Sequence, residues 1–226
     1  MTETDLKYIR QSDIIPESMQ NEQLTIVGAG AVGSSCAMAF AKTGFTDMRI
    51  FDFDTVELHN LPNQMFRYTD IGKPKVNAIR DIIKDFEGFN IRPINSRFNA
   101  NRLNGSIIIT IDNMDDRIKI WNKAKEQFDK IRLYIDARMG AEVLRLYTII
   151  PPLTSDTGPY EETLYPSADA LHLPCTAKAT MYTATVLGGL IVNQAKKALM
   201  CMIDQDAPTP AFEIIYDLTS DTLITR

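Results

Sequence analysis

The chain has 226 residues, of which 45% are hydrophobic and 23% are charged, a composition typical of a folded globular protein and not of a disordered or fibrous one. Lysine and arginine total 24 against 29 aspartate and glutamate residues, so the net charge of -5 provides no global basic field for nucleic acid. The N-terminus lacks the features of a secretory signal and no apolar stretch is long enough to span a bilayer, so we expect a cytoplasmic protein without nucleic-acid or membrane partners.

Strand and helix patterns alternate along the chain, which predicts a sheet covered by helices on both faces. We expect one domain over residues 1–226, built on a doubly wound, mostly parallel, Rossmann-like α/β sheet with a short antiparallel C-terminal extension. Residues 1–20 form an N-terminal arm, and the proline-rich stretch 151–174 forms a crossover loop. The predicted strands are 23–27, 48–52, 91–94, 107–111, 133–136, 143–150, 212–216 and 222–225, and the predicted helices are 31–42, 74–86, 115–128 and 176–202.

A glycine-rich turn follows the first predicted strand and opens a helix at Ala31. Gly28 allows a tight turn, Gly30 lets the backbone approach a phosphate, and Gly33 allows close helix–strand packing. The free N–H groups at the helix start, including the turn at Ala31, favour a bound anion. Asp52 or Asp54, at the end of the next strand, is placed to hold ribose hydroxyls. The pattern predicts a nucleotide site, although the glycines would also serve packing alone.

A long polar stretch separates the second strand from the next helix, which is unusual for a nicotinamide-binding domain. Asn60 and Gln64 supply amide donors and acceptors there. Lys73 and Lys75 stand at the start of the helix, where a lysine can reach a triphosphate as a mobile point charge. The alternative for both lysines is a solvated helix start.

A further cluster of polar residues follows the buried strand 107–111, at the edge where doubly wound sheets place ligands. Asp112, facing phosphates held by the glycine loop, is a natural ligand for Mg²⁺, since that ion prefers one or two carboxylates together with phosphate oxygens. The alternative is that Asp112 is the N-cap of the helix that follows.

Taken in order, these motifs resemble the ThiF/MoeB/HesA family and the ubiquitin-activating enzymes built on the same adenylation domain. The resemblance covers nearly the whole chain. The matching segments are Tyr8 to Gln11 (Y-x-R-Q), Gly28 to Gly33, Asp52 to Val56 (D-x-D-T-V), Asn60 to Gln64 (N-L-x-R-Q), Gly72 to Val76 (G-x-P-K-V) and Asp112 to Arg117 (D-N-x-x-x-R).

The resemblance implies that ATP and Mg²⁺ activate the C-terminal carboxylate of a ubiquitin-like or sulfur-carrier protein as an acyl-adenylate. It assigns ribose binding to Asp54, phosphate binding to Lys75 and the metal to Asp112. It also implies that Arg10 reaches the site from the partner protomer as an arginine finger, and hence that the enzyme is a homodimer.

One departure from the family motif concerns charge: Asn63 stands where N-L-x-R-Q has arginine. One phosphate charge is therefore missing unless Arg67 or another cation replaces it. Two alternatives follow, namely a non-catalytic partner-binding member of the family and a nicotinamide-dependent oxidoreductase that shares only the glycine loop.

The three cysteines, Cys36, Cys175 and Cys201, contain no C-x-x-C pair, so thiols alone form neither a disulfide framework nor a zinc site. Cys175 precedes the predicted helix at Thr176, and a helix N-terminus lowers a thiol pKa. Its position resembles the catalytic cysteine of compact ubiquitin-activating enzymes, which implies a thioester step after adenylation. The alternative is an adenylation-only enzyme in which this cysteine has no role.

Overall fold

The fold is described from a computed structural model that covers residues 3–169, 179–204 and 206–226. The strands are β1 (Leu24–Val27), β2 (Met48–Asp52), β3 (Arg92–Asn95), β4 (Gly105–Ile109), β5 (Ile131–Gly140), β6 (Val143–Ile149), β7 (Glu213–Asp217) and β8 (Thr222–Thr225). The α-helices are α1 (Glu3–Tyr8), α2 (Glu17–Gln20), α3 (Ala31–Lys42), α4 (Lys75–Glu87), α5 (Met114–Lys125), α6 (Gly158–Glu161) and α7 (Met181–Cys201). Short 3₁₀ turns lie at Leu58–Asn60, Tyr68–Asp70 and Ser167–Asp169.

All of these strands belong to one 8-stranded sheet with the order β3-β2-β1-β4-β5-β6-β7-β8. Neighbours from β3 to β5 pair in parallel, and neighbours from β5 to β8 pair antiparallel. The expected doubly wound sheet with an antiparallel C-terminal part is therefore confirmed. Strand order reverses between β1 and β4, and open α/β sheets bind ligands at such a switch point.

Helices cover both faces of the sheet, as predicted. On one face α3, α4 and α7 pack over a large apolar core that includes Ile26, Ile50 and Leu187. Helices α3 and α7 approach closely, because a Cβ on Gly188 would lie 3.1 Å from the backbone nitrogen of Cys36. On the other face Trp121 of α5 is 1% exposed and packs edge-on against Tyr134 and other rings. None of the helices in the described ranges has the length and apolar character needed to cross a lipid bilayer.

Most predicted boundaries agree with the structure to within three residues, but two differ by more. Strand β5 extends to Gly140 and does not end at Asp136, because its second half pairs with β6 as an antiparallel hairpin. Helix α7 begins at Met181, so the predicted start at Thr176 is wrong: Thr180 has an extended backbone and its side chain caps the helix by accepting a hydrogen bond from the Thr183 N–H. Cys175 lies outside the described residues.

The N-terminal arm is fastened to the domain on both sides of Arg10. Before it, Tyr8 is buried and the Lys7 ammonium lies 2.7 Å from the Glu87 carboxylate at the end of α4. After it, Ile15 and Met19 enter the core. Arg10 therefore lies on a short exposed turn between two anchors.

Candidate active site

A cavity of about 1380 Å³ lies at the carboxyl ends of the parallel strands, over the point where strand order reverses. Most of the residues predicted from the sequence to bind nucleotide line this one cavity. They are Gly28, Gly30, Ala31, Asp52, Asp54, Asn60, Gln64, Lys75 and Asp112. The glycine loop, the acidic turn, the polar stretch and the aspartate after β4 are thus close together in space although they are far apart in the chain.

The glycines of the loop have different structural roles. Gly28 has φ of +101°, a left-handed conformation that side chains rarely adopt. A Cβ on Gly33 would lie 1.9 Å from the Gly28 carbonyl oxygen, so Gly33 serves close packing and does not line the cavity. Gly30 is different, because a Cβ there would meet nothing within 4 Å. The cavity is therefore open to the loop backbone at Gly30.

The two acids of the D-x-D turn are also distinct. The Asp52 carboxylate accepts hydrogen bonds from the backbone N–H groups of Ala29, at 2.7 Å, and Asp54, at 2.8 Å, and so braces the glycine loop against β2. Asp54 differs from Asp52 in that its carboxylate does not brace the glycine loop. Its side chain is 52% exposed, and its carboxylate lies 3.0 Å from the Lys75 ammonium.

The structure separates the two lysines at the start of α4. The Lys75 side chain is only 9% exposed and lines the cavity. Lys73 points to Asp70, whose carboxylate it contacts at 2.8 Å, and it does not line the cavity. The solvated-helix alternative therefore fails for Lys75, whereas Lys73 has a local structural partner.

The polar stretch presents amide groups to the cavity. Asn60 is buried, and its side-chain oxygen accepts the Glu57 N–H at 2.9 Å, which fixes the turn. Asn63 Oδ1 and Gln64 Oε1 are buried atoms without a hydrogen-bond partner among the described residues, and both side chains line the cavity.

Arg67 does not replace the arginine that is missing at position 63. It binds Asp70 at 2.9 Å and Asp85 of α4 at 2.5 Å, and it is absent from the cavity lining. These carboxylates hold the guanidinium away from the cavity.

Asp112 is not the N-cap of α5, so the capping alternative is wrong. Asn113 is the cap, since its side-chain oxygen accepts the Asp116 N–H at 2.9 Å. Asp112 is exposed and faces the cavity. Arg117, from the same motif, is buried and donates to the Ile111 carbonyl and to the Asp136 carboxylate, each at 2.7 Å. Arg117 therefore fixes the strand end that carries Asp112.

The buried carboxylate of Asp136 also joins the crossover segment to β5. It accepts hydrogen bonds from Arg138 and from the Tyr160 hydroxyl, each at 2.9 Å, while Arg138 binds the Thr163 carbonyl. Burial opposes ionisation of Asp136, but the positive charges of Arg117 and Arg138 outweigh it and leave the pKa of this carboxyl lowered. Arg138 does not line the cavity.

Several cavity residues were not predicted from the sequence. They include cationic and aromatic groups that follow β2 and β3 or lie on α5, such as Phe53, Arg97, Lys119 and Lys123. The only local signal for Arg97 was its position after a strand of the parallel sheet, where ligand-binding residues collect.

The remaining predicted residues lie elsewhere. Arg10 does not line the cavity of its own chain. Cys175 is outside the described residues, and Ala179, which follows it in the chain, lines the cavity. No cluster of three or more histidine, cysteine or acidic side chains that could hold a metal occurs in the described part of the chain.

Comparison with known proteins decides the family. The model of the ThiF family matches residues 9–223. The chain belongs to the ThiF family. The match spans every strand of the sheet except the end of β8, and it includes all the cavity residues.

Individual proteins of known name are also similar to this chain, over shorter shares of their length. The chain is 25% identical to ubiquitin-like modifier-activating enzyme 5 of Arabidopsis thaliana, over 81% of this chain and 49% of that protein. It is 32% identical to tRNA threonylcarbamoyladenosine dehydratase 2 of Saccharomyces cerevisiae, over 51% of this chain and 30% of that protein. The chain thus spans about half the length, or less, of these curated relatives.

Solved structures share the fold. A crystal structure of PaaA superposes with a TM-score of 0.76 at 19% identity, covering 100% of this chain and 74% of PaaA. A crystal structure of E. coli MccB with ATP superposes with a TM-score of 0.75 at 15% identity, covering 97% and 70% of the two chains. At these identities the likeness shows the fold alone.

Proposed function

We propose that this chain uses ATP and Mg²⁺ to adenylate the C-terminal carboxylate of a ubiquitin-like or sulfur-carrier protein. The observation that carries the proposal is the convergence of Gly30, Asp54, Lys75 and Asp112 on one cavity. Membership of the ThiF family supports it, because relatives are named as activating enzymes and as a molybdopterin-synthase adenylyltransferase. The nicotinamide-dependent alternative has no comparable support.

The cavity fits a nucleoside triphosphate in three respects. The space beside Gly30 admits a phosphate to the backbone N–H groups at the start of α3. Lys75 supplies a cation and Asp54 a carboxylate for ribose hydroxyls. The amide oxygens of Asn63 and Gln64, which have no hydrogen-bond partner within the described ranges, suit groups that donate hydrogen bonds, such as water molecules around a hydrated ion.

Asp112 would hold Mg²⁺ as a single protein carboxylate. That arrangement suits this ion, which prefers one or two carboxylates together with phosphate oxygens and water. When bound, the ion neutralises phosphate charge and makes the α-phosphorus more electrophilic. Arg117, by holding Ile111, keeps the neighbouring Asp112 at the cavity wall.

The reaction needs no protein base, because the attacking carboxylate is already ionised. One carboxylate oxygen of the carrier forms a bond to the α-phosphorus, the bond from that phosphorus to the bridging oxygen breaks, and pyrophosphate leaves. Catalysis is then a matter of alignment and of charge stabilisation on the phosphates. Lys75 and the N–H groups of the glycine loop would supply both.

Arg10 would complete the site from a second copy of the chain. It lies on an exposed turn that is anchored on both sides, and it does not line the cavity of its own chain. A symmetric homodimer would bring each Arg10 to the cavity of its partner, where it would replace part of the charge absent at Asn63.

Cys175 would receive the carrier in a second step. Its thiolate would attack the acyl carbon of the adenylate, AMP would leave, and a thioester would form. The backbone limits the separation of Cys175 from Ala179 to about 14 Å, which supports access to the cavity. The other thiols are poorer nucleophiles, since burial raises the pKa of both Cys36 and Cys201.

ATP–pyrophosphate exchange with a purified ubiquitin-like carrier ending in Gly-Gly tests the adenylation step. We expect exchange that requires Mg²⁺ and the carrier, and that falls about 100-fold or more in Asp112→Asn. Asp129→Asn, an exposed aspartate in the turn after α5 that does not line the cavity, is the matched control and should keep exchange. Equal exchange by wild type and Asp112→Asn would contradict the metal role.

Gel analysis of the carrier adduct without reducing agent tests the second step. Cys175→Ala should abolish a thiol-sensitive adduct and leave exchange unchanged, whereas the control Cys201→Ala should retain both. A second candidate function, a non-catalytic partner-binding member of the family, is favoured by Asn63 and by the engagement of Arg67 elsewhere. Carrier binding without pyrophosphate release by the wild type would select it.

A further inference from the structure

The side chain of Arg97 is a cationic group of the cavity wall that the proposed reaction does not use. Its guanidinium carbon lies 4.5 Å from the centre of the Phe53 ring, and it donates a hydrogen bond to the Asp116 carboxylate. All three residues line the cavity. The Arg97 side chain is 64% exposed and Phe53 is 54% exposed, so both planar groups remain accessible.

The chain around Arg97 is braced. The next residue, Phe98, packs edge-on against Phe51 of β2 with ring centres 4.8 Å apart. Ala100 is buried with φ of 54°, and Gln127 donates a hydrogen bond to its carbonyl at 3.0 Å. Arg97 therefore projects from a segment that begins shortly after β3 and is held by the contacts of the residues that follow.

The order of strands gives Arg97 a position relative to a bound nucleotide. The glycine loop follows β1, Asp54 follows β2 and Arg97 follows β3, and these strands are neighbours in the sheet. With about 4.8 Å between strands, the end of β3 lies about 10 Å from the end of β1. A nucleotide with its phosphates at the glycine loop and its ribose at Asp54 therefore extends its base towards Arg97.

We propose that Arg97 is the base-recognising residue of the cavity and that its guanidinium, supported by Phe53 and Asp116, stacks on a purine. The inference rests on the proposed function, because it takes the ligand to be a nucleoside triphosphate. A planar guanidinium stacks on aromatic rings, which an ammonium group does not do. The proposal thus adds purine recognition by Arg97 to the phosphate binding already proposed for the cavity.

A phosphate contact is the rival role for Arg97, and the ion pair with Asp116 argues against it. The carboxylate neutralises much of the guanidinium charge, which reduces its attraction for phosphate oxygens. The same pairing leaves the flat face of the guanidinium free for stacking. Lys75, by contrast, is nearly buried beside the acidic turn and suits the phosphate end.

Calorimetric titration of the full chain with AMP and, separately, with inorganic tripolyphosphate distinguishes the two roles. Arg97→Ala and Arg97→Lys should each weaken AMP binding about 5- to 30-fold, because both lose the planar group. Tripolyphosphate should bind equally to wild type and both variants. Arg102→Ala, an exposed arginine nearby that does not line the cavity, is the matched control and should bind both ligands normally.

Four results would overturn the assignment. Recovery of AMP affinity in Arg97→Lys, or weaker tripolyphosphate binding in Arg97→Ala, would show a charge contact to phosphate. Unchanged AMP affinity in Arg97→Ala would leave Arg97 without a role in binding while the proposed function stood. Failure of wild type to bind ATP, with its melting temperature normal, would overturn the proposed function and the base contact together.

Discussion

Asp54 and Lys75 form an ion pair, 3.0 Å between carboxylate and ammonium, on the wall of the main cavity. They are far apart in the chain and are joined by a short antiparallel contact between Thr55 and Pro74, next to each of them. The Lys75 backbone N–H also donates to the Asp54 carbonyl at 2.9 Å. The turn after β2 and the start of α4 are therefore joined, and together they present a carboxylate and an ammonium group to the cavity.

Lys75→Ala should lower carrier-dependent ATP–pyrophosphate exchange about 100-fold, because it removes the cation closest to the proposed phosphate path. Lys73→Ala is the matched control, since Lys73 binds Asp70 outside the cavity. It should leave exchange unchanged and lower the melting temperature slightly. Equal loss of exchange in the two variants would contradict a specific role for Lys75.

Gly30→Ala should mainly weaken ATP binding, whereas Gly33→Ala should mainly lower the stability of the fold. At Gly30 an added methyl group meets open space, so we expect a stability loss of about 1 kcal/mol or less, the difference between glycine and alanine at an N-cap. ATP affinity should fall about tenfold or more as the methyl group occupies the proposed phosphate site. At Gly33 the methyl group meets the Gly28 carbonyl at 1.9 Å, which should cost about 3 kcal/mol of stability.

Urea unfolding and ATP titration of both glycine variants measure the two effects. If Gly30→Ala binds ATP as tightly as wild type, the proposal that a phosphate binds beside Gly30 is wrong.

Asp136→Asn should destabilise the fold by about 3 to 5 kcal/mol, because it leaves the buried guanidinium of Arg117 and the largely buried Arg138 without a counter-charge. Urea unfolding measures the loss. Glu126→Gln removes the exposed pair with Lys123 and should change stability by less than about 1 kcal/mol. Similar values for the two variants would show that the buried network contributes little.

Glu87→Gln should loosen the N-terminal arm and remove a pH-dependent part of the stability. Burial opposes ionisation of Glu87, but hydrogen bonds from Lys42 and Lys7 outweigh it and lower the pKa of this carboxyl below its usual 4.5. A carboxyl with a lowered pKa in the folded state stabilises the protein above its unfolded pKa, and the contribution is lost as the pH falls through the folded value.

Unfolding at pH 7 should therefore show a deficit of about 2 kcal/mol for Glu87→Gln, which narrows below pH 4.5. Hydrogen exchange over residues 6–19 should rise in the variant at pH 7. A deficit that stays constant with pH would exclude the carboxylate charge as its source.

Most of the nucleotide-binding residues predicted from the sequence line the cavity, because the determinants of their positions are local. Gly28, Asp52 and Asp112 each follow an apolar strand, and the carboxyl ends of parallel strands meet at one edge whatever the details of packing. Asn60 and Lys75 could be placed from the family motifs. The fold class was predictable for a similar reason, since strand and helix periods alternate clearly.

Other features depend on contacts that no local pattern reveals. Arg117 belongs to a family motif, yet it lies on α5 and its partner Asp136 lies on β5, so its role in fixing the segment after β4 was visible only in three dimensions. Arg97 reaches Asp116 and Phe53 across the cavity. The start of α7 was misplaced because Thr176 and Thr180 are equally good caps in sequence, and the structure places the cap at Thr180.

Ser167 and Asp115 exchange two hydrogen bonds of 3.0 Å, which fasten the crossover segment to the first turn of α5. That turn begins two residues after Asp112. Under the proposed function, a carrier protein that displaced the crossover segment would therefore also disturb the loop that carries Asp112, the proposed metal ligand.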